Sequence, residues 1–198
     1  FESGIYAKLP DDIPENLALS VLDVAGAPAQ TQKLVKKGHT VLILGAAGKS
    51  GILCLYEAKK MAGPSGRVIC LDYSEKSLEN VKKLELADDY IVADATDGVG
   101  VYSKVMEITD GKLCDTVIVN VNIQNCEMSA ILSTKEGGTV YFFSMATNFT
   151  SASLGAEGVY KDVTMMIGNG YCKGHAETAL QILRESEKIR KMYTELYA

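Results

Sequence analysis

From residue 40 onward, short apolar runs of strand length alternate with longer stretches whose apolar residues recur at helical spacing. Thr40-Val41-Leu42-Ile43-Leu44 is apolar at consecutive positions, as a strand covered on both faces must be, and it stops at Gly45. Ile52–Ala62 is apolar on more than one side, which suits a helix packed on a sheet, and Gly63-Pro64 closes it. The second strand is Arg67-Val68-Ile69-Cys70-Leu71. A short helix with Ser74 as N-cap and Leu78, Val81 and Leu84 on one face follows it. Tyr90–Ala93 is the third strand, ending at Asp94-Ala95, and a helix spans Gly98–Ile108. Asp115–Val119 is the fourth strand, ending at Asn120, with a helix over Glu127–Leu132. Gly138–Phe143 is the fifth, ending at Ser144, and Val163–Ile167 the sixth. A helix over Gly174–Glu187 completes the series.

Strands that alternate with crossover helices predict an α/β fold, a doubly wound parallel six-stranded sheet with right-handed connections. Ligands of such sheets lie beyond the carboxyl ends of the strands. The polar strand ends Asp94, Asn120, Ser144 and Asn169 are therefore expected along the same edge as Gly45. Residues 145–160, rich in Ser, Thr, Ala and Gly, read as a loop, and Glu185–Lys191 as a solvated helix face. Before residue 40, Pro14 is placed to open a helix over Glu15–Val24. Gly26-Ala27-Pro28 is expected to break it before a second helical piece, Ala29–Lys37. Residues 1–38 thus read as a helical connector from a catalytic domain outside this chain, and 39–198 as the doubly wound domain.

The corner between the first strand and its helix carries the chemistry. Gly45-x-x-Gly48-x-x-Gly51 leaves it bare of side chains where a phosphate needs room, and the helix N-terminus offers unpaired N–H groups at its positive end. Gly48-Lys49-Ser50 invites comparison with the Walker loop, but that loop needs a glycine at position 43, which is Ile43. The dinucleotide fingerprint fits better, with Ala47 as the small middle residue and an acid, Asp72, 21 residues beyond Gly51. A carboxylate there accepts from ribose hydroxyls and repels a 2′-phosphate, which favours NAD over NADP; Lys76 nearby tempers that preference.

Composition narrows the partners. The chain has 198 residues, enough for one domain with a substantial core, and a net charge of −5. That charge argues against nucleic acid or an anionic membrane. No apolar run approaches the ~18 residues of a membrane span. The five cysteines have no zinc-type spacing, so no metal site is expected; Cys54, Cys70 and Cys172 read as small core hydrophobes of a reduced, cytoplasmic protein.

The order Val24-Ala25-Gly26-Ala27, helix, Lys37-Gly38, Thr40-Val41-Leu42, the glycine corner and Gly137-Gly138-Thr139-Val140 resembles the cofactor half of medium-chain dehydrogenases and reductases. The resemblance runs over nearly the whole chain and implies the Rossmann form of the sheet. Tyr141–Thr147, Leu154–Gly158 and Ile167–Tyr171 resemble one branch of that family, which oxidatively deaminates amino acids. Lys49-Ser50, in place of a small apolar pair, points to the same branch. The resemblance implies a pyrophosphate on Gly45, Ala47, Gly48, Lys49, Ser50 and Gly51, and a ribose at Asp72. It implies adenine near Asp94 and Ala95, and nicotinamide near Asn120, Ser144, Met145 and Gly168. It also implies an amino acid substrate reached through the other domain, and a homodimer formed through the sixth strand.

Several of these residues have plainer readings. His175 and Lys173 can be solvated residues at a helix start, Ser144 can simply end a strand, and Asn120 and Asn122 can cap the next helix. No catalytic residue is assigned. Two other functions share the pattern. A methyltransferase also places a glycine turn after strand one and an acid after strand two, but it adds an antiparallel hairpin. A nucleotide-sensing module needs no chemistry of its own.

Overall fold

A computed structural model describes Tyr6, residues 8–168 and residues 170–198. The strands are β1 (Thr40–Leu44), β2 (Arg67–Asp72), β3 (Asp89–Val92), β4 (Cys114–Val119), β5 (Thr134–Phe142) and β6 (Thr164–Ile167). They form one sheet in the order β3-β2-β1-β4-β5-β6, and all five pairings are parallel. The order reverses between β1 and β4, which makes their carboxyl ends the switch point where such folds open a crevice. No antiparallel hairpin of the methyltransferase type extends the sheet among the described residues.

Alternation along each strand divides the core into two layers. Val41, Ile43, Val68 and Cys70 face one side; Leu42, Leu44, Ile69 and Leu71 face the other. On the first side pack α1 (Glu15–Leu22), α2 (Gly26–Leu34), α3 (Lys49–Ala62), α4 (Glu75–Lys82), α8 (His175–Glu185) and α9 (Glu187–Tyr197). On the second lie α5 (Gly98–Ile108), α6 (Glu127–Ser133) and α7 (Phe149–Gly158). The apolar residues of α1 and α2, among them Leu17, Val21 and Ala27, belong to the same core as β1 and α3. The stretch before β1 is therefore packed into this domain.

Four expectations need correction. Gly26-Ala27-Pro28 does not break the helical lead-in; it opens α2. Pro28 is the third residue of that helix, where N–H groups have no partner within the helix, so its missing donor costs nothing. Gly26 is required because a Cβ there would stand 1.8 Å from the Gly170 carbonyl oxygen. Residues 145–160 are not a loop throughout, since α7 occupies Phe149–Gly158 with Asn148 as N-cap, accepting from Ser151 N at 2.9 Å. Glu185–Lys191 is not one solvated face: Ser186 ends α8 and caps α9, whose Ile189 and Tyr193 are buried. The fifth strand begins at Thr134, four residues earlier than expected, because Thr134 pairs with Cys114 across an irregularity in the ladder.

The register aligns the strand ends. Leu44 is opposite both Leu71 and Val119, Val119 opposite Phe142, and Phe142 opposite Ile167. Gly45, Asp72, Asn120, Phe143 and Gly168 consequently emerge along one edge.

Candidate functional site

The corner that follows β1 is fixed by backbone bonds. Gly45 N and Ala46 N both donate to Leu71 O, at 3.0 and 3.1 Å, and Gly48 N donates to Gly45 O at 3.2 Å. Gly45 has φ +73°, and a Cβ there would stand 2.7 Å from Val121 N, so only glycine serves. Gly48 is the N-cap of α3. Gly51 lies beneath the corner: its Cβ would fall 2.2 Å from Gly45 O and 2.6 Å from Ala46 Cα. It lets the helix pack close against the turn.

Asp72 faces the corner. Its Oδ2 accepts from Ala47 N at 3.1 Å and its Oδ1 from Ser74 N at 3.2 Å. Two cavities open on either side. The first, of about 290 Å³, is walled by Gly45, Leu71, Asp72, Ala93, Asp94 and Ala95 together with Tyr73, Val121 and Ile123. Its walls are mostly apolar, with carboxylates at the rim. Asp94 is engaged locally, accepting from Thr96 N at 2.9 Å and Thr96 Oγ1 at 2.8 Å, and those bonds hold its pKa below the ordinary value. The second cavity, of about 450 Å³, is walled by Ser50, Asn120, Asn122, Phe143, Ser144, Met145 and Gly168, with Asp23, Val24 and Gly170. Gly45 belongs to one lining and Ser50 to the other, so the bare corner separates the two.

Within the second cavity, the Asn120 amide nitrogen is buried without a partner, while its oxygen lies 3.8 Å from Cys54 Sγ. A buried donor left open is a place for a ligand acceptor. Ser144 is tied into its own turn, its Oγ accepting from Ala146 N at 3.1 Å and lying 3.3 Å from Asn122 Oδ1. Met145 projects into solvent at the rim, 87% exposed.

The structure thus brings Gly45, Asp72, Asp94 and Ala95 to one cavity and Ser50, Asn120, Ser144, Met145 and Gly168 to the other, with Ala47, Gly48 and Lys49 on the turn between. Asn169 lies outside the described residues. His175 stacks edge-on against Tyr171, ring centres 5.0 Å apart, and neither it nor Lys173 lines these cavities. Sequence reasoning missed the apolar walls Val121 and Ile123, although their i, i+2 spacing past β4 was a signal. It also missed Asp23, for which the sequence gives none.

Residues 51–185 match the family model described as zinc-binding dehydrogenase. The chain belongs to this family. It is 60% identical over 197 residues to an L-erythro-3,5-diaminohexanoate dehydrogenase of Acetoanaerobium sticklandii, and 53% identical to one of Fusobacterium nucleatum subsp. nucleatum. In each case all of this chain and 57% of the relative are covered, so the chain spans just over half the length of these relatives. Among solved structures, a mycobacterial protein complexed with NADPH superposes with a TM-score of 0.69 at 19% identity, over 96% of this chain and 57% of that one. That likeness concerns the fold.

The family description mentions zinc. Among the described residues, no three His, Cys, Asp or Glu side chains gather as a metal ion requires. All five cysteines are buried, and burial pushes Cys54 and Cys70 up to about 12 and Cys126 to about 11, which keeps them thiols. These residues do not fit a zinc ion. A dinucleotide is a better match: the side-chain-free corner, the carboxylate beside it and the open Asn120 donor suit diphosphate, ribose and carboxamide in turn.

Proposed function

We propose that this chain is the NAD-holding part of a dehydrogenase that oxidatively deaminates L-erythro-3,5-diaminohexanoate. The observation that carries the reading is Asp72, whose carboxylate is held against the glycine corner at the wall of a largely apolar cavity. Adenine fills such a slot, and the carboxylate accepts from the ribose hydroxyls while opposing the extra charge of a 2′-phosphate. The N–H groups at the start of α3 face the diphosphate, at the positive end of the helix dipole. In the second cavity, the Asn120 amide is free to donate to the nicotinamide carboxamide. NAD, when bound, accepts the hydride removed from the substrate carbon. The substrate is assigned from the two relatives, whose further length is where its pocket would be found.

We also propose a cytoplasmic homodimer. β6 is one of the two outer strands of the sheet, and Phe149 and Leu154 of the neighbouring α7 are exposed. An exposed sheet edge beside apolar side chains is a surface a second copy can cover.

The test is a spectroscopic assay of the full-length protein with NAD and L-erythro-3,5-diaminohexanoate, NADP serving as the comparison. Turnover with NAD and little with NADP is expected. Turnover with other amino acids alone would overturn the substrate, and preference for S-adenosylmethionine in calorimetry would overturn the cofactor.

A further inference from the structure

The first turn of α6 joins loops that wall both cavities. Glu127, the first residue of that helix, is 2% exposed, and its Oε1 accepts from Asn148 N at 2.7 Å. Two residues on, the buried Ser129 hydroxyl donates to Ala95 O at 2.6 Å. Ala95 is on the lining of the first cavity. Asn148 ends the loop that leaves β5 through Ser144 and Met145, both on the lining of the second. The near end of that loop is tied to β4, where Phe143 N and Ser144 N donate to Val119 O at 3.1 and 3.2 Å. Its far end is tied to α6 by Glu127. Within the second cavity, Ser144 Oγ donates to Asn122 Oδ1 at 3.3 Å. The connections after β4 and β5 are thus bridged twice, once at the cavity lining and once at the start of α6.

A buried carboxylate loses its hydration, and only the bonds it makes can offset that loss. Glu127 makes its bond to a main-chain amide of the β5–α7 loop rather than within α6. Asn148 is held a second time by its side chain, which accepts from Ser151 N at 2.9 Å and starts α7. The path of the chain from Ser144 to Asn148 is therefore set between β4, α6 and α7. We propose that Glu127 is a positioning residue for the nicotinamide side of the site: by holding Asn148 it fixes where Ser144 and Met145 stand in the cavity they share with Asn120. Glu127 itself is on neither lining, so it acts through the loop and not by touching the cofactor. This rests on the reading of the two cavities as a dinucleotide site, with the nicotinamide in the second.

Calorimetry of the full-length protein with NADH and with ADP-ribose, which lacks the nicotinamide, tests this. Glu127→Ala removes the acceptor. It should weaken NADH about tenfold, the scale of one hydrogen bond to a charged group, and leave ADP-ribose unchanged. The fluorescence of bound NADH should also move toward that of the free cofactor, because its ring is held less firmly. Glu127→Gln keeps an oxygen for Asn148 N and should restore most of the NADH affinity. Glu127→Asp keeps the charge but stops one methylene short, so it should show the same selective loss; it decides the matter if thermal melts find Glu127→Ala unfolded. Ser129→Ala loosens the same turn toward the first cavity and should not reproduce that selectivity. An unchanged ratio of NADH to ADP-ribose affinity in the folded Glu127 variants overturns the proposal. So does a selective loss of NADH in Ser129→Ala, since any slackening of α6 would then suffice. A wild type that binds neither ligand overturns the dinucleotide reading, and the proposal with it.

Discussion

Asp72 and Ala47 lie 25 residues apart in sequence, yet the carboxylate of one accepts from the amide of the other at 3.1 Å. The acid that closes β2 is thereby oriented by the same corner that would hold the diphosphate. Replacing it alters recognition and turn geometry together. Asp72→Ser, which removes the charge and leaves room for a phosphate, should cost NADH about 1.5–3 kcal/mol, or roughly 10- to 100-fold in affinity. NADPH affinity should fall less or rise. Titration of both reduced cofactors against both proteins checks this, and an unchanged ratio would remove Asp72 from cofactor discrimination.

The glycines of the corner do different work, and alanine substitution separates them. At Gly51 a methyl group meets the backbone of Gly45 and Ala46, at 2.2 and 2.6 Å, so the turn itself must move. A loss of about 1–3 kcal/mol is expected for such overpacking, roughly 2–4 °C in Tm per kcal/mol for a chain of this size. At Gly48 the nearest atom, Gly45 O, is 3.3 Å away, and a small adjustment suffices. Gly48→Ala should keep its melting temperature and lose cofactor affinity, because the added methyl group occupies space on the turn. Equal melting temperatures for the two variants would contradict this account.

The corner and the sheet were legible because few residues satisfy their constraints. A positive φ at Gly45 with no space for a Cβ allows glycine alone, and a stretch buried on both faces of the sheet, such as Val41–Leu44 of β1, is apolar at consecutive positions. Other features were hidden in principle. α7 is rich in Ser and Gly, which disfavour a helix interior, and what supports the helix is the Asn148 cap and the burial of Ala152 and Ala156. In α9 the charged run masked Ile189 and Tyr193, whose i, i+4 spacing was the surviving clue. The Lys49–Asp23 ion pair depends on how the junction between α1 and α2 is placed beside α3, which no local pattern encodes.

α9 reaches the start of α3 through a polar contact, the Tyr193 hydroxyl donating to the Lys49 carbonyl oxygen. Tyr193→Phe leaves the ring packed against Tyr197, 5.0 Å away, and deletes only that bond. It should cost about 1 kcal/mol of stability. If α9 also positions Lys49, NADH affinity should drop a few-fold while that of adenosine stays constant. Chemical denaturation and calorimetry on the same samples separate the two effects.

Glu57 provides a test by pH. It lies in the middle of α3, 1% exposed, its Oε2 accepting from Gln32 Nε2 at 3.1 Å. Burial raises its pKa above the ordinary 4.5, against the smaller opposing pull of Lys60 and the Gln32 bond. The folded protein therefore binds this proton more tightly than the unfolded chain does. The resulting stabilisation is complete below the unfolded value and is lost as pH rises through the folded one. Glu57→Gln keeps an oxygen for Gln32 and removes the charge that burial penalises. It should gain on the order of 1 kcal/mol at pH 7, with the advantage shrinking as pH falls toward the ordinary glutamate value. Asp115 acts in the opposite direction: despite its burial, Lys135 and the Thr40 amide hold its pKa low. Being present in both proteins, it cancels in their difference. Melting temperatures of wild type and Glu57→Gln between acid and neutral pH should diverge as pH rises, and parallel curves would mean that the carboxylate is solvated after all.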